Sequence, residues 1–145
     1  MTTANELELH EILARANRQR TKKERAEILQ KYDSVLLKTV LTGNFSESIQ
    51  FRIPEGLPPG IKIPENIKAK KLPEEFLPEF PTWLKSNNPN QPSMQETLRK
   101  FLYCLGQVGT ENAKVLLAMK DKKLEELYPN LTLEIVQMAY NPTEE

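Results

Sequence analysis

The sequence predicts an all-α fold: a single domain of five or six short helices with a proline-rich extended strap. Apolar residues recur at helical spacing in the first 43 residues and again after residue 92, and residues that favour helix starts precede most of these runs. Nine of the eleven prolines fall between Pro54 and Pro92, where proline removes amide donors and restricts the residue before it. At 145 residues the chain is long enough for one domain, spanning 1–145, with one core.

The N-terminal part, 5–43, contains three predicted helices. Asn5 is the expected cap of the first helix, whose apolar residues form one stripe. Thr21 to Glu24 form a capping box at the start of the second, because the Thr hydroxyl and the Glu carboxylate can each accept from the other's backbone amide. We expect Asp33 to cap the third helix and Gly43 to end it in a left-handed conformation.

The insert, 44–92, is predicted to be extended. Residues 45–53 are either a short strand or only a strap across the helices. Apolar residues then recur at helical spacing and predict one short amphipathic helix near 74–85, interrupted by two prolines. Two interpretations remain open for this segment: its apolar side chains cover the core, or they form a partner-binding surface. The residues in question are Phe76, Leu77, Phe80, Trp83 and Leu84, of which Phe76, Phe80, Trp83 and Leu84 are the partner-binding candidates.

The C-terminal part, 93–142, contains three more predicted helices. Ser93 to Glu96 form a second capping box, and Met94 is expected on the buried face of the helix that follows. Gly106 or Gly109 is expected to end this helix. Thr110 and Thr132 are the expected caps of the two remaining helices, with a one-turn segment between them.

The chain carries little that predicts catalysis. A metal site needs several His, Cys or carboxylate ligands at set spacings, and this chain has one His and one Cys. His10 is expected to be solvated and Cys104 to fill the core. The five glycines are scattered, so no phosphate-binding glycine loop is predicted. We therefore expect no enzyme activity, no cofactor, no metal and no small-molecule substrate.

The bulk composition indicates a cytoplasmic protein that does not enter a membrane. The lone cysteine excludes an internal disulfide and is typical of a reducing compartment. No window approaches the ~20 apolar residues of a membrane span. Acids and bases number 20 each, so no net charge attracts nucleic acid or an anionic surface.

Basic residues are nevertheless unevenly distributed. Six of them fall within 15–25, and two smaller groups lie at 68–71 and 120–123. Such groups can neutralise phosphates. They can also be ordinary surface residues paired with the interleaved acids, and the sequence leaves both interpretations open.

Two segments together resemble the N-terminal helical DNA-binding domain of bacteriophage-type ATP-dependent DNA ligases. Residues 21–51, TKKERAEILQKYDSVLLKTVLTGNFSESIQF, are similar to the helical opening of that domain, which leads into an extended piece. Residues 111–142, ENAKVLLAMKDKKLEELYPNLTLEIVQMAYNP, resemble its end. There Lys120-Asp121 takes the place of a basic-acidic pair, and Asn130-Leu131-Thr132 that of a "G-V-S" helix start. The chain is also similar to small uncharacterised proteins of large tailed phages.

The resemblance implies an all-helical module that grips duplex DNA through backbone contacts. It assigns the contacts to the starts of two helices and to nearby lysines and arginine: Arg20, Lys22, Lys23, Lys120, Lys122, Lys123 and Thr132. The Lys-x-Asp-Gly signature of nucleotidyl transfer does not occur. The expected function is thus a stand-alone, non-enzymatic accessory protein of phage type that binds duplex DNA or a DNA-processing assembly in the cytoplasm of an infected cell. The alternative is a protein-interaction or virion-assembly module, or an inhibitor of a host enzyme, that docks through the proline and aromatic strap.

Overall fold

A computed structural model describes residues 7–87 and 89–140. The all-α prediction is confirmed: these residues form α-helices and one 3-10 helix, and no strand occurs among them. The α-helices are α1 (Leu9–Asn17), α2 (Lys22–Lys31), α3 (Val35–Phe45), α4 (Met94–Gln107), α5 (Thr110–Lys120), α6 (Leu124–Leu127) and α7 (Leu133–Tyr140). The 3-10 helix spans Pro73–Trp83 and lies between α3 and α4 in the chain.

Two of the predicted capping residues, Thr21 and Ser93, are confirmed at the N-termini of α2 and α4. The Thr21 hydroxyl accepts from the Glu24 amide at 3.1 Å, and the Glu24 carboxylate accepts from the Thr21 amide at 3.3 Å. The Ser93 hydroxyl accepts from the Glu96 amide at 3.1 Å. Each of these bonds satisfies an amide that has no partner inside its helix.

The predicted starts of α1, α3 and α5 differ from the observed ones. Ser34, not Asp33, caps α3, since its hydroxyl accepts from the Leu37 amide at 3.0 Å. Asp33 instead pairs with Lys38 at 3.5 Å. The predicted cap Asn5 lies outside the described residues, and α1 begins at Leu9.

Gly43 does not end α3, so the prediction of a left-handed cap there is wrong. The helix continues to Phe45, and Gly43 allows close packing instead. A Cβ atom at this position would lie 3.0 Å from the Met119 sulfur and 3.3 Å from the edge of the Phe51 ring. Gly109, immediately before α5, is one of three described glycines that have a positive φ, in its case 93°.

The core is apolar and draws side chains from all seven α-helices and from the 3-10 helix. Phe101 at its centre is fully buried, and its ring lies 5.0 Å from that of Trp83 in an edge-on arrangement. Met94 is exposed, contrary to expectation, and Thr97 occupies the buried side of that turn. The first turn of α4 therefore faces solvent more than its apolar residue suggests.

The insert connects α3 to α4 and contains one ladder-like contact. The Arg52 amide donates to the Trp83 carbonyl, and the Lys85 amide to the Gln50 carbonyl, both at 2.8 Å. These bonds accompany a single antiparallel bridge between Phe51 and Leu84. The segment 45–53 is therefore not a strand: Phe45 ends α3, the Ile49 amide donates to the Ser46 carbonyl at 3.2 Å in a turn, and only Phe51 forms a bridge.

Residues 54–72 run along α5 and are fastened at both of its ends. At the C-terminal end of α5, Asp121 accepts from the Gly56 amide at 3.0 Å. At its N-terminal end, the Thr110 hydroxyl donates to the Pro64 carbonyl at 2.6 Å and accepts from the Ile67 amide at 2.9 Å. Thr110 thus holds the insert from the first position of α5, and the prediction that it caps this helix is wrong, since the cap position is Gly109.

Candidate nucleic-acid interface

Helices α2 and α7 lie side by side and parallel. Near their N-termini, the Lys22 ammonium contacts the Glu134 carboxylate at 2.9 Å. Near their C-termini, the Gln30 amide group donates to the Ala139 carbonyl at 3.0 Å, and the Tyr140 hydroxyl to the Leu29 carbonyl at 3.4 Å. Because the N-terminal residues of the two helices contact each other, and so do their C-terminal residues, both N-termini lie on the same side of the molecule.

The end of α1 and the loop before α7 meet at this side as well. The Asn130 backbone amide donates to the Asn17 side-chain oxygen at 2.8 Å, and the Asn130 side chain donates to the Asn17 carbonyl at 3.0 Å. Gln19 satisfies one of the last carbonyls of α1, that of Arg15, at 3.0 Å. These bonds place residues 17–23 beside residues 130–134.

Four exposed basic residues lie on this part of the chain, and we call them, together with residues 132–134, the α2–α7 face. They are Arg18, Arg20, Lys22 and Lys23. Arg25, from the same basic run, is instead used internally, because its guanidinium donates to the Gln19 carbonyl at 3.0 Å and the Arg20 carbonyl at 3.3 Å. Of the residues predicted to contact DNA, the structure thus brings Arg20, Lys22, Lys23 and Thr132 to one side.

The electrostatics of the α2–α7 face favour an anion, with two opposing carboxylates, one of which is the exposed Glu24 in the first turn of α2. Two helix N-termini present unpaired amides and the positive ends of two helix dipoles. The exposed bases add formal charge close to these amides. Glu134, in the first turn of α7, supplies a negative charge at the same place.

Lys120 does not belong to an exposed DNA-binding group, and this corrects the prediction. Its side chain is 0% exposed, and its ammonium donates to the Pro54 carbonyl, to the Gly56 carbonyl at 2.9 Å and to the Asp121 carboxylate at 2.6 Å. The ammonium also lies 6.0 Å from the centre of the Phe101 ring. Lys120 therefore fastens the insert to α5.

The two neighbouring lysines also have protein partners. The Lys122 ammonium donates to the Gly43 carbonyl at 2.9 Å and the Ser46 carbonyl at 2.8 Å, where it complements the negative end of α3. Partial burial lowers the pKa of Lys122. Lys123 pairs with Glu55, and this bond raises the pKa of Lys123 and lowers that of Glu55. The side chains of Lys120, Lys122 and Lys123 thus contact the segment 43–56, whereas Lys22 contacts α7. The two groups of lysines therefore have different neighbours in the fold.

The aromatic residues predicted to bind a partner are largely internal. Trp83 is 2% exposed and Phe76 6%. Phe80 is half-buried, 5.8 Å from the Trp83 ring, and Leu84 is held by the bridge to Phe51. The interpretation in which these side chains cover the core therefore fits the structure, and the docking surface predicted on them is not exposed as a unit.

The isolated titratable groups behave as their surroundings dictate. Cys104 is buried, as predicted, and burial raises the pKa of its thiol to about 12. His10 is partly buried, with its ring 3.6 Å from the Glu8 carboxylate. In the described parts of the chain, no group of three or more His, Cys, Asp or Glu residues is arranged to hold a metal ion.

Sequence reasoning missed two residues that shape this region. The sequence does not predict Glu134 as a partner of Lys22, because no local pattern connects residues that are 112 positions apart. The burial of Lys120 did have a signal: Ala113, Leu116 and Lys120 follow helical spacing, which puts the lysine on the apolar face.

The greater part of the chain matches a known protein family. Residues 12–126 match a family described as "Family of unknown function (DUF6433)". The chain belongs to this family. The DUF6433 match contains the basic residues at the start of α2, and α7 lies beyond it. No curated protein and no solved structure gives a significant match to this DUF6433 chain.

Among residues 7–87 and 89–140, none of the helices has the length and apolar character needed to cross a bilayer.

Proposed function

We propose that this protein is a non-enzymatic accessory module that binds the phosphate backbone of duplex DNA through the α2–α7 face. In this proposal it acts as the DNA-binding domain of bacteriophage-type DNA ligases does, without a catalytic domain. Its place of action would be the cytoplasm of a phage-infected cell. The proposal keeps Arg20, Lys22, Lys23 and Thr132 as contacts and leaves out Lys120, whose ammonium is buried.

The observation that carries the proposal is the parallel pairing of α2 with α7. It gathers four exposed bases and two helix N-termini at one side of a chain with no net charge. Helix N-termini bind phosphate oxygens through free amides and the helix dipole. Arg and Lys side chains add the charge that releases counterions from DNA.

Binding of this kind depends on salt more than on sequence. Each neutralised phosphate contributes a slope of about −0.9 to the plot of log affinity against log salt. If all four bases contact phosphates, raising salt from about 50 to about 200 mM weakens binding roughly 150-fold. Because the contacts are to the backbone, changing the base sequence should change the affinity little.

Fluorescence anisotropy with a labelled nicked duplex at several salt concentrations tests the proposal. Arg20→Gln with Lys23→Gln should weaken binding and reduce the salt slope. A matched control, Arg99→Gln with Lys100→Gln, removes the same charge from the exposed side of α4 and should change binding much less. The proposal fails if the wild-type chain does not bind at about 50 mM salt, where phosphate contacts are strongest, or if both double variants lose the same affinity.

A further inference from the structure

The ion pair between Lys22 and Glu134 lies in the middle of the α2–α7 face. The two side chains are 59% and 58% exposed, and their charged atoms are 2.9 Å apart. The carboxylate belongs to the first turn of α7, and the ammonium to the first turn of α2. The pair thus joins the two helices at the side where the exposed bases lie.

Glu134 takes one of the three donors through which the Lys22 ammonium could bind a phosphate oxygen. A carboxylate and a phosphate oxygen are both anionic acceptors for the same ammonium, and like charges held close together repel. The pair is exposed, so its own contribution to the free energy of unfolding is small. It can therefore open and re-form without disturbing the fold.

We propose that Glu134 is an intramolecular competitor for Lys22 that limits how tightly this face binds a DNA phosphate. The inference rests on the proposed function and adds to it a residue that sets affinity. Binding requires the Glu134 carboxylate to leave Lys22, after which Lys22 contacts a phosphate oxygen. In the free protein the carboxylate neutralises this lysine, which keeps the face from retaining anions indiscriminately.

The substitution Glu134→Gln removes the competing charge while keeping the size of the side chain. We expect it to tighten binding to the nicked duplex about three- to tenfold at ~50 mM salt, since Lys22 no longer has to leave a carboxylate and the phosphate no longer faces a like charge. Because Lys22 contacts a phosphate in the bound state of both proteins, the number of phosphate contacts is the same and the salt slope should change by less than about one ion.

A matched control separates local competition from net charge. Glu111→Gln removes an equally exposed carboxylate, which pairs with Lys114 at 3.4 Å in the first turn of α5. It changes the net charge by the same amount away from the α2–α7 face. If Glu134→Gln and Glu111→Gln tighten binding equally, the effect is one of overall charge and the inference is wrong.

A double-mutant cycle tests whether Glu134 acts through Lys22. In a Lys22→Gln background, Glu134→Gln should gain less than about twofold, because the lysine it released is gone. An undiminished gain in that background overturns the inference. Circular dichroism and thermal melts of each variant show whether the helices are intact.

The outcomes distinguish the two proposals. Failure of every variant to bind at low salt overturns the proposed function and this inference with it. Binding by the wild-type chain that Glu134→Gln leaves unchanged overturns only the inference. Tighter binding by Glu134→Gln that depends on Lys22 supports both.

Discussion

The substitution Lys120→Met should destabilise the fold strongly, because it breaks a buried ion pair from one side. The ammonium has three acceptors: two carbonyls of the insert and the Asp121 carboxylate. Without it, the two carbonyls and a mostly buried carboxylate lose their charged donor. Removing one partner of a buried ion pair costs about 3–5 kcal/mol, a large part of the ~5–15 kcal/mol by which a domain is stable.

The assay is urea and thermal unfolding followed by fluorescence of Trp83, the only tryptophan. Trp83 packs against Phe101, whose ring also faces the Lys120 ammonium, so the reporter lies close to the change. For a chain of this length, a loss of about 3–5 kcal/mol lowers the melting temperature by roughly 10–16 °C.

Lys123→Met is the matched control. Lys123 is three residues away and also pairs with a carboxylate, that of Glu55, but its side chain is about half exposed. Exposed pairs contribute little to stability. If Lys120→Met and Lys123→Met unfold at the same temperature, the argument that the Lys120 ammonium holds the insert is refuted.

Four further predictions concern single sites. Gly43→Ala should lower the urea midpoint, since the added methyl crowds a buried side chain, which typically costs about 1–3 kcal/mol. Gly106→Ala lies inside α4 with no atom within 4 Å of the new Cβ, so it should raise stability by about 0.5–1 kcal/mol. If both substitutions shift the midpoint in the same direction, the packing argument is contradicted. Ser93→Ala should cost about 1 kcal/mol in chemical denaturation through loss of the α4 cap, and an unchanged midpoint argues against that cap. Cys104, with its thiol pKa raised to about 12 by burial, should react with a disulfide reagent at pH 8 only as fast as the protein unfolds; immediate reaction in the folded state means that the thiol is accessible. Burial raises the pKa of Tyr128 from 10.0 to about 12, so the hydroxyl stays protonated to a higher pH in the folded state than in the unfolded state. The melting temperature should therefore fall as pH rises through about 10 to 12, and a constant melting temperature over that range contradicts the burial.

The sequence predicts those parts of the fold that depend on neighbouring residues. The capping box at Thr21 and Glu24 needs only residues three apart, and it is present as predicted. The choice between Asp33 and Ser34 is harder, because both are good capping residues and the structure uses the second. Gly43 suits either a helix end or a close helix contact, and only its distance to Met119, far along the chain, decides between them.

The candidate site depends on long-range contacts and was predictable only in part. The basic run near Thr21 is evident in the sequence, but its position beside residues 130–134 follows from helix packing. Lys120 is an error of a different kind, because a lysine in a basic cluster is expected to be exposed. Its ammonium is buried here because backbone carbonyls and a carboxylate surround it. Charge clusters in sequence therefore overstate charge clusters in space.

The pairing of α2 with α7 also determines when the face can form. Lys22 and Glu134 are 112 residues apart, so at ordinary rates of synthesis roughly 6–20 s separate their appearance on the ribosome. Closing so long a loop is slow compared with forming a single helix. During that interval the bases near Thr21 are present without the carboxylate that later neutralises one of them. A nascent chain would therefore carry these bases before the N-terminus of α7 and Glu134 can reach them, so the complete α2–α7 face exists only after the last helix has been synthesised and has packed.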